Sequence, residues 1–350
     1  MVRPIADDQG ASFDMFGVAP RAALQVWSAG AGKDVALRWG QLKRAARRQF
    51  LVLIAISLCG AALGEAYAYF HPGEAGAVAI WCAFGLICAY GVAVARELSR
   101  DTIGALSSVK RNSGYSVLGA APTLASASLR ELPPDRRSPL GSILYQPASA
   151  FAAAFRDLER IVTQRQLVAF IGALPNDGAT TAAVCSAVSA IQQGKRVLII
   201  DCDLRRRSLT RLLEHDADAG VLEAAQQPEN WAAFVREERE SGLHFIPAVR
   251  PRSPWRNLFG QPGLPVLFAT LREHYDLIVL DCPPALTVND GAMIARGADS
   301  CIIVAAWDET PVSALRGTMR TLRSRTPIPT GVCVNRVPPG YAFGARTGAA

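Results

Sequence analysis

Lysine is nearly absent from this chain. Among 350 residues the only lysines are Lys33, Lys43, Lys110 and Lys195, although Lys and Arg together number 37. Arginine therefore carries nearly all the positive charge, and a bias this uniform gives no reason to expect a nucleic-acid partner. Metal-binding cysteine patterns are missing too. The eight cysteines include no C-x-x-C pair and no neighbouring His cluster, so a structural zinc site is not expected. Most of them lie in apolar runs, which predicts buried free thiols in a reducing compartment. Met1 to Pro20 lacks the basic-then-apolar order of a secretory signal peptide. Charged residues are sparse at 19%, against 50% hydrophobic residues and a mean hydropathy of +0.17. That apolar excess excludes a mostly disordered chain. At roughly 100–200 residues per domain, the length suggests one or two domains with additions.

What is present begins with two long apolar runs. Residues 50–70 are interrupted only by Glu65, and residues 77–95 carry no charge. Each is close to the roughly 20 residues that cross a bilayer. Tyr67 and Tyr69 suit an interfacial belt beside Glu65. The connection, 71–76, contains Pro72 and Gly73 but no Lys or Arg, whereas Lys43, Arg44, Arg47 and Arg48 precede the first run and Arg96 and Arg100 follow the second. The sequence therefore predicts a transmembrane hairpin with both termini in the cytoplasm. Residues 34–48 suit a basic juxtamembrane helix or ordinary topogenic charge. Ser, Pro, Gly and Arg fill 101–145, which reads as a linker.

From residue 146 the pattern alternates between strand and helix. Apolar runs at 166–171, 196–201, 275–281, 300–305 and 331–335 are separated by helical stretches. Continuous Val/Ile/Leu runs between helices predict a doubly wound, mostly parallel sheet covered on both faces. Ligands of such sheets bind beyond the carboxyl ends of the strands. The first run leads into a turn, Asn176-Asp177-Gly178, and then a helix opening at Thr180 and Thr181. Backbone N–H groups in that arrangement can hold an anion. The second and third runs end at the same edge in carboxylates, Asp201 and Asp281, which could hold Mg²⁺ together with Thr180. The spacing from Ala173 to Thr180 is that of a P-loop, A-x-x-x-x-G-x-T, with Ala179 where lysine belongs.

Taken in order, the turn, the run ending Asp201-Cys202-Asp203-Leu204-Arg205 and the run ending Asp281-Cys282-Pro283-Pro284 resemble the bacterial tyrosine autokinases, or BY-kinases, of polysaccharide assembly. These belong to the deviant P-loop class that also holds the MinD/ParA ATPases. The resemblance implies a binding loop of Asn176, Asp177, Gly178, Ala179, Thr180 and Thr181, and a Mg²⁺ shell of Thr180, Asp201 and Asp281. It further implies Asp203 as the base for a tyrosine hydroxyl, Arg205 against phosphate or a neighbouring subunit, and Asn335 facing adenine. The implied cofactors are ATP or ADP with Mg²⁺, their binding weakened by Ala179. The implied partners are the membrane, a polysaccharide polymerase, co-polymerase or export protein, and a periplasmic chain-length subunit.

Departures from the pattern are equally informative. Ala179 replaces the lysine, and Asn176 stands where the family has Gly. Ala153, Arg156 and Glu159 occupy the positions of a Glu-x-x-Arg-x-x-Arg oligomerisation pattern. Tyr341 is alone in a tail where the family clusters tyrosines. The expected organisation is an N-terminal segment (1–48), a hairpin (49–95), a linker (96–145), a P-loop domain (146–337) and a tail (338–350). The expected function is a kinase-like subunit of exopolysaccharide or capsule assembly in the bacterial inner membrane, regulatory or scaffolding in role. The alternatives are an active autokinase or ATPase of the same system, and a MinD/ParA-like positioning or secretion protein. Phe151 and Phe155 share one helical face, which either packs on the sheet or meets a partner.

Overall fold

In a computed structural model the described residues are 50–70, parts of 80–91, 102–103 and 116–338, except 125, 214–216, 251–259, 288, 324–327 and 329. The N-terminal segment, the connection 71–76 and most of the tail lie outside them. The chain divides into two units, residues 18–101 and the remainder.

Within the smaller unit, Phe50–Phe70 is a 21-residue helix. Gly60 and Gly64 are buried, while Leu58 and Leu63 on the same helix are exposed. A side chain at Gly60 would stand 2.9 Å from the Trp81 carbonyl oxygen and 3.1 Å from Gly85 Cα, so two backbones meet there with nothing between them. Among the described residues, no helix is long and apolar enough to cross a membrane.

The larger unit is an eight-stranded sheet in the order β1-β8-β7-β2-β6-β3-β5-β4. Its strands are β1 (Val117–Pro122), β2 (Leu167–Gly172), β3 (Val197–Asp201), β4 (Arg236–Glu238), β5 (Leu243–Ile246), β6 (Leu277–Cys282), β7 (Ser300–Ala306) and β8 (Thr330–Val337). Every pair is parallel except β4 with β5 at one edge. All six residues of β2 are buried. Leu167, Ala169 and Ile171 join one hydrophobic cluster, while Val168 and Phe170 join the other. The strand therefore has no solvent face, which is why it reads as an unbroken apolar run.

Helices Ala150–Val162 and Ala179–Gln192 supply one layer, and Val221–Gln226, Leu264–His274 and Val312–Arg323 contribute to the other. Ser149 caps the first of these, accepting from Ala152 N at 3.1 Å. The small residues of Ala179–Gln192 let that helix lie close against the sheet, with Ala182 to Ala190 all buried.

Three strands were not legible from apolar runs. Val117–Pro122, in the stretch that composition assigns to a linker, is β1, pairing in parallel with β8. Its Gly, Ala and Pro content hides a strand whose last four residues are buried. Short helices at Ser126–Arg130 and Pro139–Tyr145 follow it, so folded structure begins well before residue 146. β4 is wholly charged in sequence, Arg236-Glu237-Glu238, and a charged edge strand discourages pairing with other chains. β5 is only four residues long.

Phe151 and Phe155 face inward, 6% and 1% exposed, with ring centroids 5.0 Å apart. Replacing Phe155 with Ala should cost about 3–5 kcal/mol by opening a cavity beneath the helix. Urea unfolding of the purified chain measures it, and a loss below about 1 kcal/mol would show that this face is not part of the core.

Candidate functional site

Strand β2 lies between β6 and β7, and β3 lies beyond β6, so the carboxyl ends of β2, β3 and β6 stand side by side. In that register Asp201 is paired with Asp281. The loop leaving β2 must turn sharply into the helix Ala179–Gln192. It does so with Asn176 at φ 70° and Gly178 at φ 91°, the left-handed region where Asn is tolerated and Gly is at ease. At Gly178 a Cβ would come within 2.0 Å of Asn335 Nδ2, so no other residue fits without displacing that side chain.

A buried carboxylate fixes this loop. Asp177 is 5% exposed. Its Oδ2 accepts from Leu174 N at 2.7 Å, and its Oδ1 accepts from the Thr310 hydroxyl at 2.7 Å. Thr310 Oγ1 in turn accepts from Ala306 N at 2.7 Å. Asn335 Nδ2 donates to the Asp177 carbonyl at 3.1 Å. Burial pushes the Asp177 carboxyl above its ordinary range, against the pull of Thr310, Leu174 N–H and the Arg336 charge.

The acidic strand ends are divided in their commitments. Asp201 Oδ1 accepts from Asp203 N at 3.1 Å, and Oδ2 accepts from Thr210 N at 2.9 Å and Thr210 Oγ1 at 2.7 Å. Burial pushes its carboxyl up to about 6. Asp203 Oδ1 accepts from Arg205 N at 3.1 Å and Arg206 N at 2.9 Å. Asp281 is 2% exposed, and its Oδ2 has no hydrogen-bond partner. Burial, then the Asp201 charge, pushes the Asp281 carboxyl well above the usual range, while the Thr180 hydroxyl and the Arg206 charge pull it back.

These groups border a cleft of about 370 Å³. Asn176, Asp177, Gly178, Ala179, Thr180, Thr181, Asp203 and Asp281 all line it. Asp201 and Asn335 are absent from its lining. Asp201 holds the turn after β3, and Asn335 holds the loop and accepts from Arg336 N at 2.9 Å. Arg205 is exposed and does not line the cleft; Arg206 does, as does Arg336. The tight turn on Asp203 sends successive side chains in different directions, so a run of three arginines could not reveal which one turns inward. No sequence signal marked Arg336. Among the described residues no group of three or more His, Cys, Asp and Glu is placed to hold a metal ion. A Mg²⁺ ion bound with a nucleotide needs fewer protein donors, since phosphates and water complete its shell. The unpartnered Asp281 oxygen beside Thr180 fits that requirement. The cysteines Cys185, Cys202, Cys282, Cys301 and Cys333 are buried and free.

Loop, helix and acidic strand ends are arranged as in a P-loop domain, and the chain is similar to tyrosine-kinase domains of that class. Residues 175–325 match the family model described as an AAA domain. EpsB of Ralstonia nicotianae, which bears the name of a tyrosine-protein kinase, is 30% identical over 186 residues, 52% of this chain and 25% of its own length. ExoP of Rhizobium meliloti, named a succinoglycan biosynthesis transport protein, is 27% identical over 179 residues, 49% of this chain and 23% of its own length. The chain thus spans about a quarter of these curated relatives. Among solved structures, the BceF tyrosine kinase domain aligns with a TM-score of 0.59 and 25% identity, covering 68% of this chain and 100% of that one. The kinase domain of the Escherichia coli tyrosine kinase ETK, at 0.58 and 23%, covers 65% and 92% and has the same fold.

Thr310 offers a direct test of how the loop is held. Thr310→Val removes the buried hydroxyl that links Ala306 N to Asp177 Oδ1, a cost of about 1–3 kcal/mol. Thr310→Ser keeps the hydroxyl and should retain most of the stability. Equal urea midpoints for the Val variant and the natural chain would sink this account.

Proposed function

We propose that the chain is a membrane-attached, kinase-like subunit of a bacterial exopolysaccharide assembly system, which holds a nucleotide as a structural ligand and does not transfer phosphate to tyrosine. One observation carries the reading. The cleft has the P-loop shape and the carboxylates of a nucleotide site, yet Ala179 leaves it with no lysine among its lining residues. Phosphoryl transfer depends on positioning and on neutralising charge, and loss of one preorganised donor costs about 2.7–4 kcal/mol of barrier. Asp203, the expected base, already accepts from two backbone N–H groups. Asp281 and Thr180 would hold Mg²⁺, whose charge would offset the phosphates. Arg205, exposed, would serve a contact with a neighbouring subunit.

The class of system follows from the relatives named for exopolysaccharide and kinase roles, EpsB, ExoP and ETK. On this reading the partners are a polysaccharide polymerase, co-polymerase or export protein, together with a periplasmic chain-length subunit. The inner-membrane hairpin, both termini cytoplasmic, is supported by the basic flanks of residues 50–70 and 77–95. Close packing at Gly60 against Gly85 also supports it, since small residues let apolar helices approach in lipid. Ile80, Phe84 and Ile87, 57–70% exposed, would face the acyl chains.

A second reading, a working autokinase, draws on the two guanidiniums that line the cleft. Purified full-length chain incubated with Mg-ATP separates the two. We expect no phosphotyrosine signal; a signal that disappears in Asp203→Asn would establish the autokinase. Topology is tested separately with C-terminal fusions. A fluorescent protein there should be bright and alkaline phosphatase inactive, and an active phosphatase would refute the orientation.

A further inference from the structure

The cleft has lost its lysine but not its cations. Arg206 and Arg336 both line it, and both reach the loop tip at Asn176. They are bound differently. Arg336 Nη1 pairs with Glu309, and Nη2 donates to the Asn176 carbonyl at 2.7 Å, so its charge is partly neutralised and its fork is spent on backbone. Arg206 Nη2 donates to a neutral amide oxygen, Asn176 Oδ1, at 2.8 Å.

We propose that Arg206 replaces the absent loop lysine: clamped by Asn176, it supplies the positive charge that receives the phosphates of a nucleoside di- or triphosphate in the cleft. The proposal rests on the nucleotide-holding reading above. Its ground is the coupling of two departures. Glycine at position 176 would have no side-chain oxygen, whereas Asn provides one while still adopting φ 70°. That oxygen is what Arg206 grips.

The arginine is also fixed from behind. Its backbone N–H donates to Asp203 Oδ1 at 2.9 Å, and the Asp203 N–H donates to the fully buried Asp201. The side chain therefore starts from an anchored Cα, which reduces the entropy lost when it meets an anion. Its charge is felt at Asp281, which lines the same cleft. An amide oxygen is a weak holder of a guanidinium, so exchange for a phosphate oxygen favours the charged partner. The buried Asp281 oxygen, which has no hydrogen-bond partner, is a second polar group of the same cleft that a cation accompanying the phosphates would satisfy.

The test is titration of a fluorescent Mg-ADP analogue into full-length chain purified in detergent, with thermal melts to confirm folding. Arg206→Ala should weaken binding about ten- to a hundredfold, as expected for one hydrogen bond to a charged group. Arg206→Lys should retain part of the affinity, Asn176→Gly should lose less than Arg206→Ala, and Arg320→Ala on an outer helix should change nothing. Adding Ala179→Lys to Arg206→Ala should restore binding. If Arg206→Ala binds as well as the natural chain, the proposal is wrong and the nucleotide site stands. The proposal also fails if the natural chain does not bind but Ala179→Lys does, because Arg206 then does not substitute. If neither binds, the nucleotide-holding reading falls and takes the proposal with it.

Discussion

The loop after β2 depends on one buried carboxylate. Asp177 sits inside the turn it belongs to, and a carboxylate there is costly unless each oxygen is met. Leu174 N–H meets one and Thr310 the other. Because Thr310 follows β7 and Asn335 is on β8, the loop conformation is set by strands far along the chain. The cleft is therefore a property of the whole sheet and not of a local motif. A strand–turn–helix alone would leave the turn free to choose other φ values, and Gly178 in particular would lose the side chain that packs over it.

Charge in the site comes from acids at and just after the strand ends and from two arginines that line the cleft. Asp201, Asp203 and Asp281 are all nearly inaccessible. Two of them answer to backbone N–H groups, and the third faces the cleft with an oxygen unmet. Buried acids this close repel one another, and with burial the Asp201 and Asp203 charges hold the Asp281 carboxyl well above its ordinary range. Arg206 and Arg336 line the same cleft and both reach Asn176. On the proposed reading a divalent cation would offset these acids, and the phosphates it accompanies, still negative in sum, would be met by the two arginines.

Much of this was legible beforehand. The strands at 167–172, 197–201, 277–282, 300–306 and 330–337 are built around continuous apolar runs because both of their faces are covered, and burial writes itself into composition. The loop, Thr180 and Asp281 line the cleft where spacing suggested, since the chemistry of strand ends in parallel sheets is positional, and Asp203, which only the resemblance implied, lines it too. β1 was hidden because an edge strand packed against a helix can be built from Gly, Ala and Pro. Arg206 was hidden because consecutive residues in a turn diverge, and only coordinates say which one turns inward. Asn335 was placed at the right end of the right strand, yet its side chain is used to hold the loop. Arg336 gave no signal at all, since an arginine among so many carries no information by its presence.

The pairing of β1 with β8 bears on how the protein is made. Their partnered residues lie roughly two hundred positions apart in sequence. At about 5–20 residues per second of synthesis, the first strand would wait on the order of ten to forty seconds for its neighbour. Asn335 and Arg336 arrive on that same late strand. An unfinished chain could form the central strands and the helix Ala179–Gln192, but it would lack the groups that close the loop. Closure of the loop thus waits for β8, and a chain broken off before Asn335 would lack the side chain that packs over Gly178.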